Sequence, residues 1–391
     1  MREQEIEMLQ SEVIIPEIVQ RKANLAFRQI QEESREKERV ISYRRARNRK
    51  FLVAVAAAAG IMGAITACTA VYLHWSRGLE AELHVSEEEK RYLEDIKIAA
   101  PAGENSGVTS AGVTVTPIQS IVDSKFAFLS FKIEGYDLEE GKEPCFENIG
   151  ITVDGSADFS WSASFYDGLT TDEMGRVACQ DGTPVQDLPE GVPVEQYVAE
   201  DGTMEYDVFM IANVEEGIFI DAPVHVVFEN LGTVHKAEFF PDLEGRWEFD
   251  IKLSGSDKVR HVSSGNEIGD SGAVVNYADI SPISLQVTYD FEAQPEEIEG
   301  VGKDGQPIIS TLYKEPPVLT GVRLKDGTLL VGICNGGMTS WEDLEKGIYK
   351  ETFATNRVID TEEVDALLYL KPDGNGENMF AEENLYIVPV E

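Results

Sequence analysis

The chain has 391 residues and a formal net charge of −38, from 33 Lys+Arg against 71 Asp+Glu. Residues 1–50 hold 12 basic and 9 acidic side chains, so the remainder carries a net of −41. A polyanion of that size excludes DNA or RNA as a partner, because nucleic-acid binding rests on neutralising phosphates.

In chain order, residues 16–47 are predicted to form one helix. Pro16 suits its first turn, and Val19, Ala23, Ala26 and Ile30 recur at steps of four and three. That stripe is a candidate face for a partner helix or protein. The plainer reading is a solvated helix leading into the next segment, with Glu32, Arg35, Glu36 and Arg39 spaced for exposed ion pairs. A basic cluster follows: Arg44, Arg45, Arg47, Arg49 and Lys50.

Phe51 to Leu73 reads FLVAVAAAAGIMGAITACTAVYL and holds no charged residue. As a helix it would extend roughly 34 Å, enough for a bilayer core of about 30 Å. Basic clusters stay on the cytoplasmic side, so the expected topology is N-terminus inside and C-terminus outside, in the cell membrane. Two other readings of the run are a cleaved secretory signal and a lipoprotein signal ending at Ile65-Thr66-Ala67-Cys68. The 50-residue leader and the continuation past Cys68 favour an uncleaved anchor. Tyr72 and Trp75 suit its outer edge.

Ser86 followed by Glu89 forms a capping-box pattern, so a short helix is expected over 86–96. Pro101 to Gly107 reads as a polar linker. From Val108 the period changes to two, as in KFAFLSFKIEG. Asp-Gly pairs recur from Asp154, Asp167, Asp181, Asp201, Asp304, Asp326 and Asp373, and they signal hairpins. Helix-period stretches occur near Trp341–Lys346 and Asp360–Leu368. GVTVTPIQSIVDSKFAFLSFKIEG, from Gly112, has an echo in GAVVNYADISPISLQVTYDFEA, from Gly272.

The expected fold is therefore mainly β: two consecutive antiparallel β-sandwich, immunoglobulin-like domains outside the membrane, preceded by a long N-terminal helix that includes one transmembrane span. The boundaries are 1–50 for the cytoplasmic helical segment and 51–73 for the span. Residues 74–107 form the juxtamembrane helix and linker, and the sandwiches cover 108–254 and 265–391, with a boundary near Ser254–Ser264.

The chain resembles the single-pass membrane proteins of Gram-positive bacteria that carry the extracytoplasmic domain of unknown function four-one-seven-nine. The residues that carry the likeness are PEIVQRKANLAFRQI, the single span, SEEEKRYLEDI and the paired strands from Gly112. The C-terminal part, from about Ala273 through VIDTEEVDALLYL, resembles the immunoglobulin-like domain that commonly follows. Such proteins are often encoded beside extracytoplasmic-function sigma factors, and many are described as anti-sigma-like. The resemblance implies a sensor or binding protein outside the cell that regulates a cytoplasmic sigma factor through residues 1–50. The alternative is a passive surface module that binds an envelope polymer or another protein.

No catalytic residue, cofactor or metal site is expected. Gly269-Asp270-Ser271-Gly272 mimics a protease nucleophile motif, but His74, His84, His225, His235 and His261 lie outside the matching context. Asp373, Asn375 and Glu377 have the early spacing of a calcium loop, whose sixth and twelfth positions are here Asn378 and Asn384. Cys68, Cys145, Cys179 and Cys334 form no CxxC and leave one bridge open, Cys145–Cys179. Trp161, Trp247 and Trp341 suit either a glycan-binding face or sandwich cores.

Overall fold

The computed structural model describes residues 73–391 apart from 104–106, 172–175, 190–191, 193, 213–216, 302–306 and 373–378. The helix expected over 16–47, the basic cluster and the apolar run up to Tyr72 lie outside the described residues. Among the described residues, no helix is long and apolar enough to cross a membrane.

The fold is mainly β, with several antiparallel sheets. Two short helices come first. Helix α1 (Arg77–Leu83) is capped by the Ser76 side chain and ends at His84, which is left-handed at φ 48°. Helix α2 (Glu87–Asp95) carries the complete capping box expected from Ser86 and Glu89.

The strands of the first group are β1 (Ala99–Ala100), β2 (Val108–Ser110), β3 (Val113–Val122), β4 (Phe126–Glu134), β5 (Glu143–Val153) and β6 (Phe159–Phe165). They continue with β7 (Leu169–Thr171), β8 (Val177–Cys179), β9 (Met204–Ala212), β10 (Pro223–His235) and β11 (Glu238–Lys252). The main sheet runs β1-β3-β4-β9-β6, and a second runs β11-β10-β5. Between them lies a core that includes Leu129, Phe131, Val208, Phe146, Phe228 and Trp247. Phe228 stacks on Phe146 at 4.7 Å and meets Phe131 edge-on at 5.0 Å. Strand β4 is buried on both faces, which explains its near-continuous apolar run. Ala127, Leu129 and Phe131 face this core, while Phe126 and Phe128 face the helices.

The second group comprises β12 (Arg260–Glu267), β13 (Val274–Ile280), β14 (Ser284–Asp290), β15 (Pro295–Val301), β16 (Pro307–Tyr313) and β17 (Leu319–Leu324). It ends with β18 (Leu329–Val331), β19 (Cys334–Asp343), β20 (Ile348–Thr355), β21 (Val364–Leu370) and β22 (Leu385–Pro389). Sheets β12-β13-β14-β20-β19 and β18-β17-β21-β22 enclose a second core, and β15-β16 is a separate hairpin. Strand β12 begins at Arg260, inside the stretch expected to be a linker, because Val262 faces this core.

The internal echo is a topological one. In each group a strand with a register shift (β3, β13) turns tightly into β4 or β14, and the next neighbours in the sheet are β9 then β6, or β20 then β19. The two helix-period stretches are corrected. Trp341 lies in β19 and is followed by a turn in which Asp343 accepts from Lys346 N at 3.1 Å. Residues 361–363 form one 3-10 turn, and 364–370 form strand β21. That strand is central and buried on both faces, so its apolar residues show no alternation to distinguish it from a helix.

Candidate functional site: the junction and its cleft

A third apolar cluster joins everything. Leu73, Trp75, Leu79, Leu83 and Leu93 pack on the outer face of the main sheet, against Ile121, Phe126 and Phe128, and the cluster also takes in Ile283, Ala354 and Val358 from the second group. The chain following the apolar run thus enters the folded part with no slack. Leu73, predicted to end the span, is 8% exposed in this cluster. Trp75, expected at a membrane edge, is instead buried, with its indole N–H donated to Glu94 at 2.7 Å and Lys90 over its ring.

Polar groups fix the entry. Ser76 N donates to Gln119 Oε1 at 2.8 Å, and Ser76 Oγ donates to Glu205 at 2.9 Å. The same oxygen accepts from Leu79 N at 3.3 Å and Ser130 Oγ at 2.8 Å. Glu205, buried on β9, also accepts from Gly78 N at 3.1 Å and Arg77 Nε at 3.3 Å. A carboxylate held by three donors satisfies the helix start from the sheet below. Gly78 is required here: a Cβ at this position would lie 1.9 Å from Asp207 Oδ2. Gly78→Ala should therefore lift α1 from the sheet and destabilise the fold by about 1–3 kcal/mol. A urea titration of the variant checks this.

The two strand groups meet through their equivalent turns. Asp123 N donates to Phe126 O at 3.0 Å in one, and Ser281 N to Ser284 O at 2.9 Å in the other. Asp123 is fully buried. Its Oδ1 accepts from Lys125 N and Phe126 N, both at 2.8 Å, and its Oδ2 accepts from Ser281 Oγ and Ser284 Oγ, both at 2.5 Å. One carboxylate thus closes its own turn and ties the second group to the first.

Beside the junction lies a cleft of about 360 Å³, walled by α1, the end of β6, β9 and Asn335 and Gly336 of the second group. Three carboxylates line it: Glu82, Asp167 and Asp207. Asp207 at its floor is surrounded by protein yet touched by solvent. Burial is the main cause that pushes its carboxyl up to about 7, opposed by a hydrogen bond from Ser130 and reinforced by the charges of Glu205 and Glu82. Glu82, surrounded by protein but with its side chain open to solvent, has its carboxyl raised by that surrounding, against a hydrogen bond from Asn335 and the charge of Arg357.

The candidate residues Val19, Ala23, Ala26, Ile30, Arg44, Arg45, Arg47, Arg49, Lys50 and Phe51 lie outside the described residues. So does the calcium-like stretch from Asp373 to Asn378. In the protease-like motif, Ser271 Oγ accepts from Ala273 N, while His261 pairs with Asp279. The three tryptophans share no face. Trp247 is fully buried in the first core and donates to Val113 O at 3.0 Å, Trp341 packs on Phe291 and Tyr349 in the second group, and Trp161 is exposed on β6. Cys145, Cys179 and Cys334 are free thiols. Among the described residues, no group of three or more His, Cys, Asp or Glu is placed to hold a metal ion. Sequence reasoning missed Asp123, Glu205 and Asp207. Their one signal is Ser130, a polar residue inside the apolar run of β4, which marks where the sheet's outer face must be hydrogen-bonded.

No protein-family profile matches the chain, and no curated protein does. Among solved structures, the crystal structure of a conserved domain protein from Bacillus anthracis is similar at 13% identity and a TM-score of 0.37, covering 76% of this chain and 92% of that one.

Proposed function

We propose that the chain is a single-pass, membrane-anchored extracytoplasmic sensor or binding protein that regulates a cytoplasmic partner, such as a sigma factor, through residues 1–50. Its two strand groups act as immunoglobulin-like sandwiches outside the cell. The observation that supports this reading is the absence of slack between the apolar run and the sheets: Leu73 and Trp75 are already part of the cluster that contacts both groups. A change in how the groups are held, by ligand or by force, therefore reaches the anchor through packed side chains rather than through a flexible tether.

The test is the full-length chain, tagged at its C-terminus and cross-linked in its native cells. Recovery of a sigma factor that is lost on deleting residues 1–42, with a matching change in transcription, is the expected result. Unchanged transcription after that deletion would instead leave a passive surface module. The closed hydrogen-bonding of Asp123 favours that second reading to one extent: it makes the two groups a stiff spacer.

A further inference from the structure

Strand β6 ends the main sheet. Tyr166 N donates to Glu205 O at 3.0 Å, and the β6–β9 register runs without a shift from Phe159↔Ala212 to Phe165↔Tyr206. Antiparallel residues alternate between bonding inward and outward. Ser160, Ser162 and Ser164 thus bond to β9, and Trp161 and Ala163 turn their N–H and C=O groups outward. Among the described residues, no backbone group meets those outward ones.

Natural sheets blunt such edges with charge, proline, bulges or cover. The other long outer strands do so here. Strand β5 holds Pro144, Glu143 and Glu147, and β11 holds Pro241 and alternating charges. Strands β12 and β19 have register shifts. The backbone of Glu391 pairs with that of Ser263 beside β22. Strand β6 reads FSWSASF, with no charge, no proline and no shift, and Trp161 is 41% exposed on it.

The side chains beside that edge define what fits. Ser162 and Ser164 are small and border the cleft, whose lining includes Glu82, Asp167 and Asp207 and no Lys, Arg or His. A strand added to β6 would place alternate side chains beside these serines, pointing toward the three carboxylates, and the intervening ones beside Trp161. We propose that the β6 edge captures an extended peptide segment of alternating basic and apolar residues by strand addition. The backbone supplies the pairing, and Lys or Arg side chains enter the cleft. A second copy of this chain is disfavoured, because the outer part of each carries a net of −41. The inference does not depend on the anchor or on the cytoplasmic partner.

The test is calorimetric titration of the full chain, kept in detergent because of its apolar run, with a short acetylated peptide alternating lysine and valine. Three controls accompany it. They are the same peptide with glutamate for lysine, the lysine peptide N-methylated at alternate residues, and the Ala163→Pro variant. Proline at 163 removes only an outward N–H, so β6 should stay paired to β9 and the melting temperature unchanged. Binding of the lysine peptide that falls at least about tenfold in each control is expected. No binding, or equal binding of the N-methylated peptide, would overturn the proposal, since the latter signals mere adhesion to an acidic surface. Equal binding by Ala163→Pro would overturn it too. A dimer in sedimentation that Ala163→Pro dissolves would assign the edge to a second copy and also overturn it. If Ala163→Pro melts lower, the N-methylated peptide decides alone.

Discussion

Asp123→Ala is expected to destabilise the protein by at least about 3 kcal/mol and to split one thermal transition into two. The substitution removes the carboxylate that accepts from four donors, the N–H groups of Lys125 and Phe126 and the hydroxyls of Ser281 and Ser284, and among these the Ser284 hydroxyl keeps Ser281 Oγ, at 3.0 Å, as a second acceptor. Each buried group left unpaired costs about 1–3 kcal/mol, and partial rescue by water lowers the sum. Asp123, Ser281 and Ser284 are all 3% exposed or less, so water enters only if the turns part. The turns also position Ile283 in the apolar cluster with Phe126, so their separation loosens the junction as a whole. Asp123→Asn should cost less, about 1 kcal/mol, because its amide oxygen still closes the turn and its NH₂ donates to the serine oxygens. Scanning calorimetry distinguishes the outcomes: a single transition in the alanine variant would mean that apolar contact alone joins the two groups.

The second large effect is a pH dependence of unusual sign. Glu351 is 4% exposed in the second group and accepts from Tyr289 Oη at 2.6 Å. Burial pushes its carboxyl up to about 8, partly opposed by that hydrogen bond and reinforced by the charge of Glu315. A carboxyl raised in the folded state keeps a proton that the unfolded chain releases. Its contribution is fully present below the ordinary glutamate range and is lost as pH rises toward 8, at roughly 1.4 kcal/mol per pH unit. Asp207, raised to about 7, adds in the same direction over a lower window. Stability should therefore rise on acidification from pH 8 to pH 5. Lower charge repulsion would act the same way, so Glu351→Gln is the discriminating variant. Gln keeps an acceptor for Tyr289 and has no proton to lose. Urea midpoints should show it more stable than the parent by roughly 2 kcal/mol or more at pH 8, with the difference vanishing near pH 5. A parallel pH profile in the two proteins would show that Glu351 is ionised without cost.

Much of the fold is legible in the chain. The capping box at Ser86 and Glu89 forms as its spacing dictates. The Asp154-Gly155 pair adopts positive φ at both residues, 49° and 76°, as a tight turn demands. KFAFLSFKIEG forms β4 as expected, although its apolar residues fall on both faces rather than alternating, and the echo between the two halves becomes two sheets of matching strand order. What failed is local. VDALLYL has the apolar spacing of a helix, yet β21 is covered on both faces, and such a strand carries no period of two. Trp75 looked interfacial because its role depends on Glu94, which lies 19 residues away and comes within reach only when α2 folds back. The candidate site was hidden for a different reason. Asp123, Glu205 and Asp207 are three of 71 acidic residues, and nothing in their neighbours distinguishes a buried carboxylate from a solvated one. MEYDVFMIA reads as an ordinary strand with one wet face, and only the packing of α1 on that face makes Glu205 a buried anchor.

The segment just after the apolar run is part of the folded block and not a tether. Hydrogen exchange of the full-length chain in lipid nanodiscs tests it most directly, by comparing Trp75–Leu83 with β4 and β9. Leu79 N bonds to Ser76 Oγ, Gly78 N to Glu205 and Ser76 N to Gln119, all beneath packed side chains. Protection of these amides comparable to that of β4 and β9, falling together with theirs in Asp123→Ala, is the predicted result. Exchange within seconds in the unmodified chain, while the sheets stay protected, would contradict the account.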